Sequence, residues 1–420
     1  MNPVADRRHT DTAYVARLIG LACLGWATIY ADRTALYPLL DIIGQEFSLS
    51  STQAGAITSA YFLSYVTAQV PFGLLGDRVG FKRVLVSTYL VAGLALLAVG
   101  TLAASYGSLV PFVALYGLAA GAFHPMAFGL TLRTVPQRLR GTSTAIINAG
   151  MSVGLVLGLG LAGPVYLALG SWRVVFALLA VPTLLVAVLA WLTVHPLPAS
   201  RPGTLPVLGL LRNRSLLCIY LANHCSLYAF WTIVVWGPSF FQSERGVGLS
   251  TAGLYTATIA ASGVPACLAI GRLSDRWSRK KLSLALFPPT IVTLLAFAGV
   301  RSQAAMIAVL LAYGMVGKLA WESVGVAWSV DHILASKPDA MGAGLALFGT
   351  IGMSSGITAP LVGGWIRDQS GSLAGAFYLA AVLLGAGFLL LWVPRDVAKP
   401  REPRTGPSTC PHPISAPQGN

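Results

Sequence analysis

The sequence predicts an all-α membrane protein with twelve transmembrane helices in two pseudo-symmetric six-helix halves. Three observations predict this fold. The composition is 55% hydrophobic and only 10% charged, whereas a soluble protein of 420 residues would need more charge to cover its surface. Apolar stretches of about 20 residues, the length of a membrane-spanning helix, follow one another along the chain. A basic loop motif also occurs twice, at matching places in the two halves.

The twelve predicted helices are separated by charged or turn-forming residues. The strands of a membrane barrel would be about ten residues long with alternating polarity, so these stretches indicate helices. They begin roughly at Leu18, Gln53, Val84, Leu109, Thr142, Val174, Ser215, Leu249, Leu282, Ala304, Met341 and Leu373. Polar residues lead straight into a first stretch that spans and continues into a second, so no cleavable signal peptide is expected.

The distribution of Lys and Arg predicts the orientation in the membrane. With the amino terminus in the cytoplasm, 22 of the 28 basic residues fall on the cytoplasmic side, as the positive-inside rule requires. The four on the opposite side are Arg173, Arg245, Arg301 and Arg367. We therefore expect a multi-pass protein of the cell inner membrane with both termini cytoplasmic. This orientation explains the formal net charge of +14, so no nucleic acid partner is expected.

A proline-rich connection and a repeated motif divide the chain into two halves. We expect six-helix domains at 1–194 and 214–397, a cytoplasmic linker at 195–213, and a disordered cytoplasmic tail at 398–420. The loop after the second helix carries Gly73, Asp77, Arg78, Gly80, Lys82 and Arg83, and the loop after the eighth carries Gly271, Asp275 and Arg276. The matching glycines and aspartates are both 198 residues apart, which indicates a duplicated unit. We interpret this motif as conformational, because glycine permits close helix approach and basic residues meet the inner leaflet.

The duplicated G-x-x-x-D-R-x-G-x-[KR]-[KR] loop resembles the signature of the major facilitator superfamily, and the resemblance covers about residues 13–394. Within that superfamily the chain looks like the anion:cation symporter family, which imports organic acids with protons. This second likeness is carried by residues 30–33, 46–55, 60–62, 69–73, 236–240 and 360–365. Members carry an Arg and a Glu in helix four, where this chain has Val113 and Ala120. The resemblance implies a central cavity lined by helices one, four, seven and ten.

Charged residues inside the predicted helices are the strongest functional signal. Asp32 and Arg33 lie in helix one, where a charge costs several kcal/mol unless it faces a wet cavity or a partner. Lys318 and Glu322 lie in helix ten, four residues apart on one face, so a self-contained structural pair is an alternative to a functional site. The histidines at intramembrane positions are His124 in helix four and His224 in helix seven.

We hypothesise that Arg33 and Lys318 hold the substrate carboxylate, Arg33 through a bidentate fork and Lys318 as a point charge. The other residues expected to contact the substrate are Tyr30, Tyr37, Asn223, His224, Tyr228, Trp231 and Trp321. The candidate proton carriers are Asp32, Glu322 and His124. Aromatic residues and lone histidines also commonly serve helix packing, which leaves a structural alternative for each. If the aromatic residues face the cavity, an aromatic or short-chain monocarboxylate would fit.

These features predict a secondary active transporter that imports a small organic anion with protons by alternating access. The alternative is a proton-driven efflux antiporter for drugs or metabolites, but the helix-five motif of such exporters is broken by Leu159, four residues before Gly163. No nucleophile with a base, cofactor motif or metal cluster occurs, and the five cysteines lack C-x-x-C spacing, so we expect neither an enzyme nor a cofactor. We expect a monomer whose partners are the organic anion, protons and membrane lipid.

Overall fold

The computed structural model describes residues 12–136, 139–197, 207–337 and 340–396, and the regular secondary structure in these ranges is α-helical, without a β-strand. The predicted disordered tail and the middle of the predicted linker lie outside the described residues. The helices are α1 (Thr12–Thr34), α2 (Leu36–Glu46), α3 (Ser51–Val79), α4 (Phe81–Leu102), α5 (Tyr106–Gly121), α6 (Phe123–Thr134), α7 (Arg140–Leu169), α8 (Trp172–Thr193), α9 (Val207–Leu211), α10 (Arg214–Arg245), α11 (Leu249–Arg276), α12 (Arg279–Gly299), α13 (Gln303–Val316), α14 (Lys318–Ser336), α15 (Met341–Met353), α16 (Ser355–Ser370) and α17 (Ala374–Leu390).

Ten spans in the described ranges are long and apolar enough to cross a membrane, judged by length and composition. Several of them consist of two helices in series, namely α1 with α2, α5 with α6, α13 with α14, and α15 with α16. Two further helices coincide with predicted spans: α3 has 29 residues, and α17 is apolar and has 17. The predicted all-α membrane fold is therefore confirmed.

Three of the breaks between helices in series have a local cause. Pro38 and Pro125 lie in the first turns of α2 and α6, and they lack the backbone donor that would continue α1 and α5. The break between α13 and α14 falls at Gly317, whose ψ of −150° lies outside the helical region. Arg33 lies at the end of α1 and Lys318 begins α14. Broken helices at membrane depth are typical of transporter binding sites, so the breaks mark the two intramembrane cations as candidate site residues.

The helices pack as two groups, α1–α8 and α10–α17, which meet where α3 packs on α16 and α7 packs on α11. At one end of the α3–α16 seam the backbones nearly touch. A Cβ atom on Gly55 would lie 2.2 Å from the carbonyl oxygen of Pro360, and one on Gly364 would lie 2.2 Å from that of Ser51. We call this end of the bundle, defined by these four residues, the closed face.

The opposite end of the bundle carries the loops that follow α3 and α11, and we call it the basic face. Near this face, α6 packs mainly on helices of the first group and α14 mainly on helices of the second. The two groups are therefore joined tightly at the closed face, whereas α6 and α14 remain within their own groups.

A Gly364→Ala substitution tests the seam. The added Cβ would meet a backbone carbonyl at 2.2 Å, so α16 must shift from α3, and we expect a lower melting temperature in detergent from a cost of about 1–3 kcal/mol. Gly349→Ala on α15 is the matched control, because nothing lies within 4 Å of its added Cβ. Equal melting temperatures for the two variants would contradict this description of the seam.

Candidate functional site

Arg33 lies in an aromatic cage that both groups of helices build. Its guanidinium carbon is 4.0 Å from the ring centroid of Tyr30, 4.6 Å from Trp231, 5.2 Å from Phe62 and 5.5 Å from Tyr61. Tyr30 precedes Arg33 on α1, Tyr61 and Phe62 belong to α3, and Trp231 belongs to α10. Each such contact stabilises a desolvated cation by about 0.5–2 kcal/mol. The structure thus brings together three of the predicted binding residues, Arg33, Tyr30 and Trp231.

The Arg33 guanidinium has no carboxylate partner within the described residues. The side chain is only 3% exposed, and none of its three nitrogens has a hydrogen-bond partner there. The Tyr61 hydroxyl lies close to the guanidinium but is not hydrogen-bonded to it. A cavity of about 20 Å³, lined also by Tyr37 and Thr58, adjoins the guanidinium and has room for one water by volume. A buried guanidinium with free donors is well suited to bind an anion.

The Asp32 carboxylate bonds to side chains of the first group of helices. Its Oδ2 accepts a hydrogen bond from the Thr183 hydroxyl on α8 at 2.7 Å and a longer one from the Tyr116 hydroxyl on α5 at 3.4 Å. The side chain is buried, and none of the ion pairs among the described residues includes it. Consecutive helical residues point about 100° apart, so the Asp32 and Arg33 side chains have different nearest partners although both line the small cavity.

Lys318 and Glu322 form an ion pair along one face of α14. The Lys318 Nζ lies 2.5 Å from Glu322 Oε2, and it also lies 5.4 Å from the ring centroid of Phe230 on α10. The exposed fractions of the two side chains differ strongly, at 3% for Lys318 and 39% for Glu322. The cation is therefore sealed in the protein, whereas the carboxylate reaches a space that is open to solvent.

His124 faces the same space from the first group of helices. Although it lies on α6, its side chain is exposed, and it stands between the rings of Trp26 and Phe128, whose centroids are 5.8 and 4.5 Å away. It also lies within electrostatic range of Glu322 on α14. A first-group histidine and a second-group carboxylate thus face each other across the gap between α6 and α14.

Several predicted substrate-binding residues are found in the core of the second group instead of the cage. Asn223, His224, Tyr228 and Trp321 all belong to the second group. The Asn223 side-chain amide donates to the carbonyl of Phe348 at 2.9 Å, and His224 Nδ1 lies 2.9 Å from the carbonyl of Ile351. The Trp321 ring lies 6.4 Å from the Phe348 ring. These contacts hold α15 against α10 and α14.

The repeated loop motif lies on the basic face. Asp77 Oδ1 forms an ion pair with Arg133 Nη2 at 2.8 Å, which ties α3 to α6 within the first group. Gly80 has a φ of +103°, a conformation that favours glycine, at the junction of α3 and α4. In the second group the side chain of Asp275 lies outside what the structure describes. The other motif residues at these helix ends are Gly73, Arg78, Lys82, Arg83, Gly271 and Arg276.

Sequence reasoning missed the wall that α3 contributes to the cage. Tyr61, Phe62 and Tyr65 lie within five residues of one another and are all buried. Their spacing places Tyr61 and Tyr65 on one helical face, a signal that could have identified them beside a predicted intramembrane cation. Tyr116 and Thr183, the partners of Asp32, gave no such signal, because only the packing of α5 and α8 on α1 brings them together.

Two groups of membrane-spanning helices, joined at one face and enclosing charged residues at membrane depth, define a membrane transporter. The chain matches the family model of the Major Facilitator Superfamily over residues 22–360, and it belongs to this family. It is therefore a transporter and not an enzyme.

Similar proteins agree with this assignment. A putative tartrate transporter of Agrobacterium vitis is 26% identical, over 93% of this chain and 92% of that protein. The 3-(3-hydroxy-phenyl)propionate transporter of Escherichia coli is 29% identical, over 77% of this chain and 79% of that protein. Among solved structures, a bacterial homologue of the human lysosomal transporter Spinster, in an inward-facing and occupied conformation, has a TM-score of 0.77 at 16% identity, covering 91% of this chain and 97% of that one. The predicted resemblance to organic-acid transporters of this superfamily is confirmed.

The unequal burial of Lys318 and Glu322 leads to a prediction about the melting temperatures of their variants. Glu322→Gln leaves the buried Lys318 cation without a counter-charge and should lower the free energy of unfolding by about 3 kcal/mol. Lys318→Met leaves a carboxylate that water can solvate and should lower it less. We therefore expect a lower melting temperature in detergent for Glu322→Gln than for Lys318→Met. The double variant should melt above Glu322→Gln alone, because it removes the stranded charge. The reverse order of the single variants would show that the pair is not buried as described.

Proposed function

We propose that this protein imports a small organic carboxylate together with protons by alternating access. In this proposal twelve transmembrane spans form two halves at 1–194 and 214–397, and the basic face lies in the cytoplasm beneath the cell inner membrane. The protein acts as a monomer surrounded by membrane lipid. The observation that carries the proposal is the buried guanidinium of Arg33, which has free donors inside an aromatic cage.

The composition of the cage supports an organic anion with an apolar or ring-like body. A guanidinium can make two parallel hydrogen bonds to one carboxylate, and the faces of Tyr30 and Trp231 provide flat apolar surface beside it. Relatives named as transporters of tartrate and of 3-(3-hydroxy-phenyl)propionate both point to carboxylates. Tartrate is a dicarboxylate and 3-(3-hydroxy-phenyl)propionate an aromatic monocarboxylate, so the relatives support a carboxylate in general, and the flat apolar cage favours an aromatic or short-chain monocarboxylate.

The origin of the cage residues supports alternating access. Tyr61 and Phe62 belong to the first group of helices and Trp231 to the second, so relative motion of the groups opens or closes the cage. In the conformation described here the groups are joined at the closed face, and the exposed Glu322 and His124 face the gap on the other side. We assign this conformation to the state that is open to the cytoplasm.

The Lys318–Glu322 pair supports proton coupling by exchange of partners. In this conformation Glu322 is the partner of Lys318. When the substrate carboxylate binds Lys318, Glu322 loses its counter-charge, and a proton restores neutrality. Binding of the anion and of the proton then reinforce each other, because linkage is reciprocal. Asp32 lacks this arrangement, since it bonds to neutral hydroxyls and has no contact with solvent.

Replacing the caged cation tests the substrate site. In proteoliposomes with an inward proton gradient, we expect Arg33→Gln to reduce uptake of labelled carboxylates by at least about 30-fold, the equivalent of about 2 kcal/mol of lost charge-assisted hydrogen bonding. Benzoate, 3-(3-hydroxyphenyl)propionate and tartrate make up the panel. Arg301→Gln, which removes an exposed cation, is the matched control and should transport normally. Near wild-type uptake by Arg33→Gln would refute the site.

A second substitution separates proton coupling from substrate movement. Glu322→Gln should retain exchange of labelled for unlabelled substrate across the membrane, because exchange needs no net proton transfer. The same variant should no longer accumulate substrate when a proton gradient is imposed. Amounts of reconstituted protein are matched by size-exclusion chromatography, which removes the effect of reduced stability. If Asp32→Asn or His124→Asn shows this split and Glu322→Gln does not, the proton carrier is not Glu322.

A further inference from the structure

A second cavity, which has a polar lining, opens on the closed face, away from the aromatic cage. Its volume is about 500 Å³, which suits a small organic molecule. Its polar lining comes from both groups of helices. Asp41, Gln45 and Ser51 belong to the first group, and Gln242, Ser243 and Arg367 belong to the second.

An ion pair crosses this cavity between the two groups. Arg367 Nη1 on α16 lies 2.6 Å from Asp41 Oδ1 on α2, and the side chains are 20% and 19% exposed. The other guanidinium nitrogens of Arg367 make no hydrogen bond within the described residues, so they remain available to a ligand. Since both partners are reached by water, a dissolved anion can compete with Asp41 for the guanidinium.

Other arginines near the closed face are already engaged. Arg173 donates to Glu46 and to the carbonyl of Ala103. Arg245 donates to backbone carbonyls, including that of Val300 at 2.9 Å. Arg367 differs from both because it borders a cavity of ligand size.

We propose that this cavity is a capture site for the organic anion, in which the substrate carboxylate replaces Asp41 as the partner of Arg367. The inference rests on the proposed function, because it takes the transported anion as the ligand and the closed face as the external one. Gln45 and the Ser48 hydroxyl supply hydrogen bonds to a carboxylate or to substrate hydroxyls, whereas Gln242 already donates to the carbonyls of Pro38 and Pro238 and Ser243 to that of Ser239.

The capture site adjoins the contact that holds the closed face together. Asp368, the residue after Arg367, accepts hydrogen bonds from the backbone N–H groups of Ser51 and Thr52, both at 2.8 Å, and from the Thr52 hydroxyl at 2.6 Å. The carboxylate thereby binds the amino-terminal end of α3, where a negative charge is favourable. When an anion draws Arg367 from Asp41, α16 loses its ion pair to α2 beside this contact. Substrate arrival thus weakens the face that must open to admit it.

Two charge-neutralising substitutions distinguish capture from a purely mechanical ion pair. Arg367→Gln should raise the external carboxylate concentration for half-maximal uptake about tenfold, because the capturing cation is lost. Asp41→Asn should lower it by several fold, because Arg367 is freed from its competitor. Shifts in the same direction for the two variants, or no shift, would overturn the capture site.

A binding readout keeps this test separate from the proposed function. A cysteine introduced as Gln45→Cys lies in the cavity and can be labelled from outside by a membrane-impermeant maleimide; the chain without it gives the background. Benzoate and tartrate should slow the labelling at least threefold relative to sodium chloride at equal ionic strength, and Arg367→Gln should abolish this protection. Protection without uptake would leave the capture site standing and contradict the proposed function. Uptake without protection would contradict the capture site and leave the proposed function standing.

Discussion

The structure depends on one constraint, which is that a cation inside a membrane protein needs a compensating charge or ligand. The chain meets this constraint in two different ways. Lys318 carries its own counter-charge one helical turn away, in Glu322. Arg33 has no carboxylate within the described residues and is held by aromatic faces, which stabilise a cation but leave its hydrogen-bond donors free. The first arrangement is complete in the absence of substrate, and in the proposed function the second is completed by an anion.

The same constraint explains why the cage must span both groups of helices. If every ring around Arg33 came from the first group, the site would have the same form in each state of the transporter. Because Trp231 closes it from α10, movement of the second group changes the surroundings of the cation. The tight α3–α16 seam holds the two groups together at the closed face. Gly55 and Gly364 allow its close backbone contact, which is lost as a whole when the helices separate. Such a contact favours two discrete states.

Sequence reasoning was sufficient for the all-α fold and for the residues whose chemistry conflicts with a membrane. Arg33 and Lys318 were found because charge is costly there, and the pairing of Lys318 with Glu322 followed from helical spacing. The direction of Asp32 was not predictable, because its partners Tyr116 and Thr183 are 84 and 151 residues away and meet it only after folding. The hydrogen bond by which Asn223 holds α15 was equally impossible to predict from the sequence. Its acceptor is a backbone carbonyl, which every residue carries and no sequence pattern marks.

The two helix-four positions at which this chain differs from the anion:cation symporter pattern hold apolar side chains. Val113, where the resemblance to anion:cation symporters implies an arginine, lines the small cavity beside Arg33, and Ala120 is buried. Neither side chain can bind an anion or carry a proton. A cation and a carboxylate are instead present on α14, in the buried Lys318 and its partner Glu322, and Glu322 lies across the gap that His124 borders. In the proposed mechanism the second half therefore supplies the proton coupling, while the first half supplies the caged cation.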